Sequence, residues 1–260
     1  MSRYDLSVCL PGIRKDNWVR LYESIQNSIG QYTFELIICG PHKELPEELQ
    51  DKPNVQHIQD FGCPTRAQQI STIPATGRYM AWAADDGWFY PNKLAECLNM
   101  LDRMLESKRA LVTQYIEGGR DGLGNYTMNY HEPIRSPYYP NNFLIFNSVI
   151  VVLDHFRELG GFDCRFEACP MAFADLGARM QKDGAAVRLV PTIFECTHMM
   201  GDSGDHAPIH YGQIEHDQPL YRSIWRDPAC LDRLKLDFDN WKDAPEVWER
   251  RFNKDDLNYE

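Results

Sequence analysis

The sequence has no long apolar run. Nothing in its 260 residues approaches the ~20 consecutive apolar positions that a membrane-spanning helix needs. Positive charge is scarce as well. Lys and Arg number 27 against 38 Asp and Glu, a formal net charge of −11, which makes the chain a poor candidate for generic nucleic-acid binding because that task needs a basic face, and leaves room only for a local basic pocket. Met1-Ser2-Arg3-Tyr4-Asp5 runs into strand-like sequence without the apolar core of a signal peptide, so the expected location is cytoplasmic. Eight cysteines are present, but none has tight zinc spacing. Cys164, Cys169, Cys196 and His198 give only C-x₄-C and C-x-H. Others, such as Cys9, Cys39 and Cys97, lie in apolar runs and read as reduced, buried thiols. Internal repeats and low-complexity segments are absent. The length suits one large α/β domain with or without a tail.

What is there begins with alternation of strand and helix patterns. Tyr4 to Leu10 reads as a first strand, ended by Pro11-Gly12. Asp16 then caps a helix with Trp18, Leu21, Tyr22, Ile25 and Ile29 at helical spacing. Phe34 to Cys39 is a second, fully buried strand, Val55 to Phe61 a third, and Thr65 to Thr72 a short helix. A strand over 78–86 and an amphipathic stripe of Leu94, Cys97, Leu98, Leu101, Met104 and Leu105 follow, with Pro91 in that helix's first turn. This order predicts a mostly parallel central sheet flanked by helices. Further on, Ala110–Ile116 and Phe143–Leu153 read as strands, separated by a Gly-, Pro- and Tyr-bearing loop over 117–142. Asp154 to Leu159 reads as a short helix, Phe173 to Lys182 as a helix with Asp175 in its first turn, and Val187 to Cys196 as a strand. From about Tyr211 the chain becomes charged and Trp-rich, with Trp225, Trp241 and Trp248, and reads as a helical tail over 211–260 packed on the domain. The domain proper then covers 1–210, with halves 1–107 and 108–210.

The stretch Arg78-Tyr79-Met80-Ala81-Trp82-Ala83-Ala84-Asp85-Asp86-Gly87 carries the chemistry. It is an apolar strand that stops at two carboxylates. Ligands of open α/β sheets collect beyond the carboxyl ends of such strands. Carboxylates placed there are hard oxygen ligands for Mg²⁺ or Mn²⁺ carrying a substrate phosphate. Pro11, Gly12 and Arg14 end the first strand and should border the same crevice; Arg66 follows the third strand, where it could meet a phosphate.

Several motifs in order resemble family 2 glycosyltransferases, nucleotide-sugar transferases of GT-A fold. They are Ser7-Val8-Cys9-Leu10-Pro11, Glu35-Leu36-Ile37-Ile38, Ala75-Thr76-Gly77-Arg78-Tyr79-Met80, the Asp85-Asp86 pair, Gly160-Gly161-Phe162-Asp163, Asp175-Leu176 with Arg179, and His198 with Gly201 and Ser203. The resemblance spans roughly 5–205. It places Asp86 on the metal-binding aspartate of a D-x-D motif, with Asp85 in the middle and Ala84 on the first aspartate. It implies a divalent metal, Mn²⁺ or Mg²⁺, held by Asp86 and His198, with Asp85 acting on ribose or through a water. It also implies a UDP-, GDP- or dTDP-sugar donor and a glycan or other hydroxyl acceptor, with inversion at the transferred sugar. Two departures stand out. Gly40 replaces the acidic residue that holds the nucleotide base. Ala172-Phe173 replaces the acidic pair that supplies the general base, leaving Asp175 as first and Glu167 as second candidate for that role. A sugar-nucleotide nucleotidyltransferase is an alternative, with Pro11-Gly12-Ile13-Arg14-Lys15 as its thin phosphate loop. So is a transferase fold serving only as a binding module. A homo-oligomer is left open.

Overall fold

The computed structural model describes residues 3–120, 126–131, 143–197, 204–226 and 234–259. β1 (Tyr4–Pro11), α1 (Trp18–Ile29), β2 (Phe34–Gly40), α2 (Glu47–Gln50), β3 (Val55–Gln59), α3 (Pro64–Ser71), β4 (Gly77–Trp82), β5 (Gly87–Phe89) and α4 (Lys93–Arg103) make up the first half. β6 (Arg109–Arg120), β7 (Tyr126–His131), β8 (Val149–Val152), α5 (Leu153–Glu158), α6 (Cys169–Lys182) and β9 (Ala186–Cys196) follow. α7 (Ala207–Gly212) and α8 (Gln218–Arg226) are joined through a π-helical turn over Gln213–Asp217. Among the described residues one sheet runs in the order β3-β2-β1-β4-β8-β6-β9-β5, with β7 added to β6. β1 to β4 pair in parallel, as alternation with helices requires. The second half adds the antiparallel pairs β4–β8, β8–β6 and β5–β9, so the sheet is continuous across residue 107.

Period-two alternation sends β1 to two different cores. Leu6, Val8 and Leu10 face Trp18, Leu21 and Ile25 of α1 and Leu94, Leu98 and Leu101 of α4. Cys9 joins Ile37, Met80 and Trp82 against Phe156, Phe162 and Leu176 on the other face. α3 is buried from Thr65 to Ser71 although its sequence is polar. Three hydrogen bonds of its glutamine amides offset part of the cost of burying it: Gln68 Nε2 donates to the Cys9 carbonyl, Gln69 Nε2 to that of Phe238, and Gln69 Oε1 accepts the Phe162 N–H.

Several boundaries differ from expectation. The strand into the Asp pair ends at Trp82, because Ala83 to Asp86 leave the sheet and β5 turns back to pair with β9. Pro91 precedes α4 rather than entering it; Asn92, in the left-handed region at φ 64°, is its N-cap. Residues 117–120 belong to β6, and 126–131 form β7, so part of the expected loop is an antiparallel hairpin; 121–125 and 132–142 lie outside the described residues. Phe143–Ser148 is irregular and only Val149–Val152 is strand. α6 starts at Cys169 with Pro170 in its first turn, a position that suits proline; Asp175 is therefore mid-helix. Among the described residues the tail's last α-helix is α8, Gln218–Arg226. From Leu234 the tail is irregular with short 3₁₀ turns, held down by hydrogen bonds such as Trp248 N–H to the Phe61 carbonyl at 2.8 Å and Cys164 N–H to Asn240 Oδ1 at 2.8 Å.

Candidate functional site

The carboxyl ends of β1, β2 and β4 open into a cavity of about 380 Å³. Its floor between β1 and β2 is bare backbone. A Cβ at Gly40 would stand 1.8 Å from the Gly12 carbonyl oxygen, so no side chain fits at position 40. On this backbone an acidic side chain cannot stand at position 40. Asp60, just past β3, supplies a carboxylate to the same wall. Burial raises its pKa, against the pull of the Gly62 N–H and of Arg66.

The two aspartates after β4 have different surroundings. Asp85 is buried, and Oδ2 accepts the backbone N–H groups of Ile13 and Arg14 at 2.7 and 2.6 Å. Its Oδ1 accepts Arg14 Nη1 at 2.6 Å. Asp85 thus ties the β1 loop to the end of β4 and fixes one edge of the Arg14 guanidinium. Asp86 is fixed through its backbone carbonyl, which accepts Arg20 Nη2 at 2.6 Å, while its Oδ2 accepts the Thr197 hydroxyl at 3.1 Å. Across the cavity Trp82 stacks on Phe173 with ring centres 4.8 Å apart. Glu117, near the end of β6, lines the same space and accepts the Tyr115 hydroxyl at 3.3 Å. The C-terminal segment closes the remaining side with Trp248, Arg251 and Phe252.

Pro11, Gly12, Arg14, Ala84, Asp85 and Asp86 are thus brought together on one cavity wall. Three other candidates are not. Arg66 is buried, with Nε on Asp60 and Nη1 on the carbonyls of Trp241 and Ala244, both at 2.7 Å. Its charge anchors the tail rather than meeting a phosphate. Glu167 lines a separate hollow of about 610 Å³ and pairs with Arg250 Nε at 2.6 Å. Asp175 is 1% exposed, bound to Arg179 Nε at 2.7 Å and to the Trp225 indole N–H at 3.0 Å. Burial raises its carboxyl pKa, with Arg179 and Trp225 pulling the other way. Arg179 also donates to the carbonyls of Leu159 and Gly161, at 3.0 and 2.6 Å. The D-L-x-x-R and G-G-F-D motifs are therefore one structural unit, in which Gly160 and Gly161 take the left-handed region at φ 81° and 71°. Neither carboxylate is placed to take a proton from a substrate in the cavity. His198 lies outside the described residues.

The chain's crystallographic neighbours share this arrangement of sheet and helices. The first 349 residues of S. aureus TarS match with a TM-score of 0.55 and 13% identity over 91% of this chain and 71% of that one. The same fragment in complex with UDP-GlcNAc matches at 0.54 and 14%, and in complex with UDP at 0.54 and 12%. The mixed α/β sheet flanked by helices is similar to a glycosyltransferase fold. No family model matches the sequence, and no curated protein does.

Mg²⁺ and Mn²⁺ in phosphate chemistry take one or two protein carboxylates and complete their shell with water and substrate oxygens. Asp86 fits such a role. Among the described residues no three His, Cys, Asp or Glu side chains come together as a ready-made cage. No helix among them is long and apolar enough to cross a membrane. Glu117 and the tail residues Trp248, Arg251 and Phe252 were not found from sequence. The Trp-rich tail was their only signal, and Glu117 fell inside the segment read as a loop.

Proposed function

We propose that this chain transfers a sugar from a nucleotide-sugar donor to an acceptor hydroxyl, with inversion and with the help of Mn²⁺ or Mg²⁺. The observation that carries this reading is the cavity at the ends of β1 and β4, which gathers Asp85, Asp86 and Arg14 in a fold shared with a protein crystallised with UDP and UDP-GlcNAc. Those complexes favour a UDP-sugar over GDP- or dTDP-sugars. Asp86 and His198 would hold the metal, which when bound offsets the charge developing on the departing diphosphate. Asp85 holds Arg14 and the β1 loop in position for the nucleotide. Four carboxylates among the described residues line the cavity: Asp60, Asp85, Asp86 and Glu117. Asp60 and Asp85 are each paired to an arginine and to backbone N–H groups. Glu117, which lines the cavity near the end of β6, is proposed as the group that accepts the proton of the attacking hydroxyl.

The test is turnover of UDP-, GDP- and dTDP-sugars with and without Mn²⁺, together with thermal unfolding in their presence. A donor at 100 times its Kd adds about 2.7 kcal/mol of stability. Asp86→Asn should remove Mn²⁺-dependent nucleotide binding while the protein still folds. Glu117→Gln should keep donor binding and lower transfer by about 10²–10⁴-fold. Full transfer by Glu117→Gln sinks the assignment of the base. Nucleotide binding without any turnover, in every metal, favours the binding-module reading instead.

A further inference from the structure

Two arginines far apart in sequence converge on one carboxylate at this cavity. Arg14 follows β1 and Arg251 lies near the end of the tail; both line the cavity, and both side chains are 14% exposed. Between them stands Asp205. Its Oδ2 is 3.3 Å from Arg14 Nε, its Oδ1 accepts Arg251 Nη2 at 3.3 Å, and its backbone carbonyl accepts Arg251 Nη1 at 2.6 Å.

The Arg14 guanidinium is incompletely served by this partner. Asp85 fixes Arg14 through Nη1, while Nε and Nη2 are buried and have no hydrogen bond of acceptable geometry from the described residues. Buried donors without an acceptor are costly. The Asp205 side chain that faces both arginines is 53% exposed, so it is half hydrated and loosely engaged. One carboxylate bridges two cations there. A diphosphate carries more negative charge and offers each planar fork its own set of oxygens, which arginine takes two at a time.

We propose that Arg14 and Arg251 form the clamp for the donor's diphosphate, and that Asp205 occupies the clamp as a stand-in anion until the donor displaces it. The clamp rests on the nucleotide-sugar reading. It adds to that reading a residue from the C-terminal segment, together with competition between Asp205 and substrate. Arg251 can serve only while the tail is seated, so closure of the cavity wall and binding of phosphate become one event.

The experiment measures binding of UDP, UMP, uridine and inorganic pyrophosphate by calorimetry, with Mn²⁺ present throughout, in wild type, Asp205→Asn, Arg251→Gln and Arg251→Lys. Asp205→Asn removes the competing charge and should tighten UDP and pyrophosphate several-fold, with uridine unchanged. Arg251→Gln should weaken UDP by about tenfold or more, the effect of losing one or two charge-assisted hydrogen bonds, again with uridine unchanged. Arg251→Lys should fall between. Thermal unfolding checks that each variant is folded, and Asp205→Asn decides the matter if Arg251→Gln is not. A merely structural Asp205 would not tighten phosphate binding when replaced. If wild type binds UDP but Asp205→Asn binds it no better, the clamp is overturned and the donor reading stands. If wild type binds neither UDP nor pyrophosphate, both fall.

Discussion

Replacing Asp175 by Asn distinguishes a buried structural carboxylate from a catalytic one. The substitution keeps shape and volume and removes one charge. Arg179, fully buried, would then keep only the carbonyls of Leu159 and Gly161 as partners. Breaking a buried pair by deleting one charge costs about 3–5 kcal/mol. The Asn oxygen can still accept the Trp225 indole N–H, which places the expected loss near the lower end, about 3 kcal/mol. At about 2–4 °C per kcal/mol for a chain of this size, the melting midpoint should fall by roughly 6–12 °C. Domains hold only about 5–15 kcal/mol in total, so the variant stays folded at low temperature but is clearly weakened. Thermal melts and guanidinium titrations at neutral pH measure this. Asp239→Asn, at an exposed pair with Lys242, is the control and should not shift the midpoint. Asp175→Leu combined with Arg179→Met should cost less than the sum of the single changes, because no lone charge is left behind. If Asp175→Asn melts with wild type yet loses transfer, the carboxylate reaches the reacting sugar and the pairing described above is wrong.

Arg66→Met should unseat the tail by removing the donors to Trp241 and Ala244, which lowers the melting midpoint and weakens UDP binding together; loss of stability with unaltered binding would show that the wall of Trp248, Arg251 and Phe252 does not depend on this anchor. His57 is pushed down to about 4, first by burial and then by His42 and Lys15. The unfolded chain therefore binds the extra proton first, and stability is lost as pH falls from about 6.5 toward about 4. His57→Gln should flatten that part of the urea-midpoint profile, and a variant with the wild-type slope would place the titrating group elsewhere.

Much of the first half was legible because its signals are local. β1 and β2 are short apolar runs buried on both faces, and α1 carries Trp18, Leu21, Tyr22 and Ile25 on one stripe, so length and period suffice. α3 was read as a helix, but its burial was not visible, since Gln68 and Gln69 find partners in β1, the G-G-F-D turn and the tail, far away in sequence, while the Ser71 and Thr72 hydroxyls bond carbonyls of their own helix. The second half was less legible for two physical reasons. Gly118-Gly119 in β6 reads as loop punctuation, although its backbone is paired to β7. Cys169-Pro170 reads as a break, although Pro at the first turn begins α6 four residues before Phe173 and carries Asp175 away from the helix end.

The same division runs through the site. Asp85, Asp86 and Arg14 are visible because a strand end fixes what lies just beyond it, and the sheet brings the ends of β1 and β4 together. The partner of a charged residue has no such local signature. Arg66 follows β3 at the place where a phosphate-binding arginine would stand, yet its guanidinium is claimed by two carbonyls 175 and 178 residues later. Arg251, in a tail with no obvious role, lines the cavity instead. Both outcomes come from one event, the return of the C-terminal segment across α3. That segment takes Arg66 out of the set of anion ligands and puts Arg251 into the cavity wall. With the proposed clamp, anion recognition and tail docking would be coupled through the fold, and a change that frees one should disturb the other.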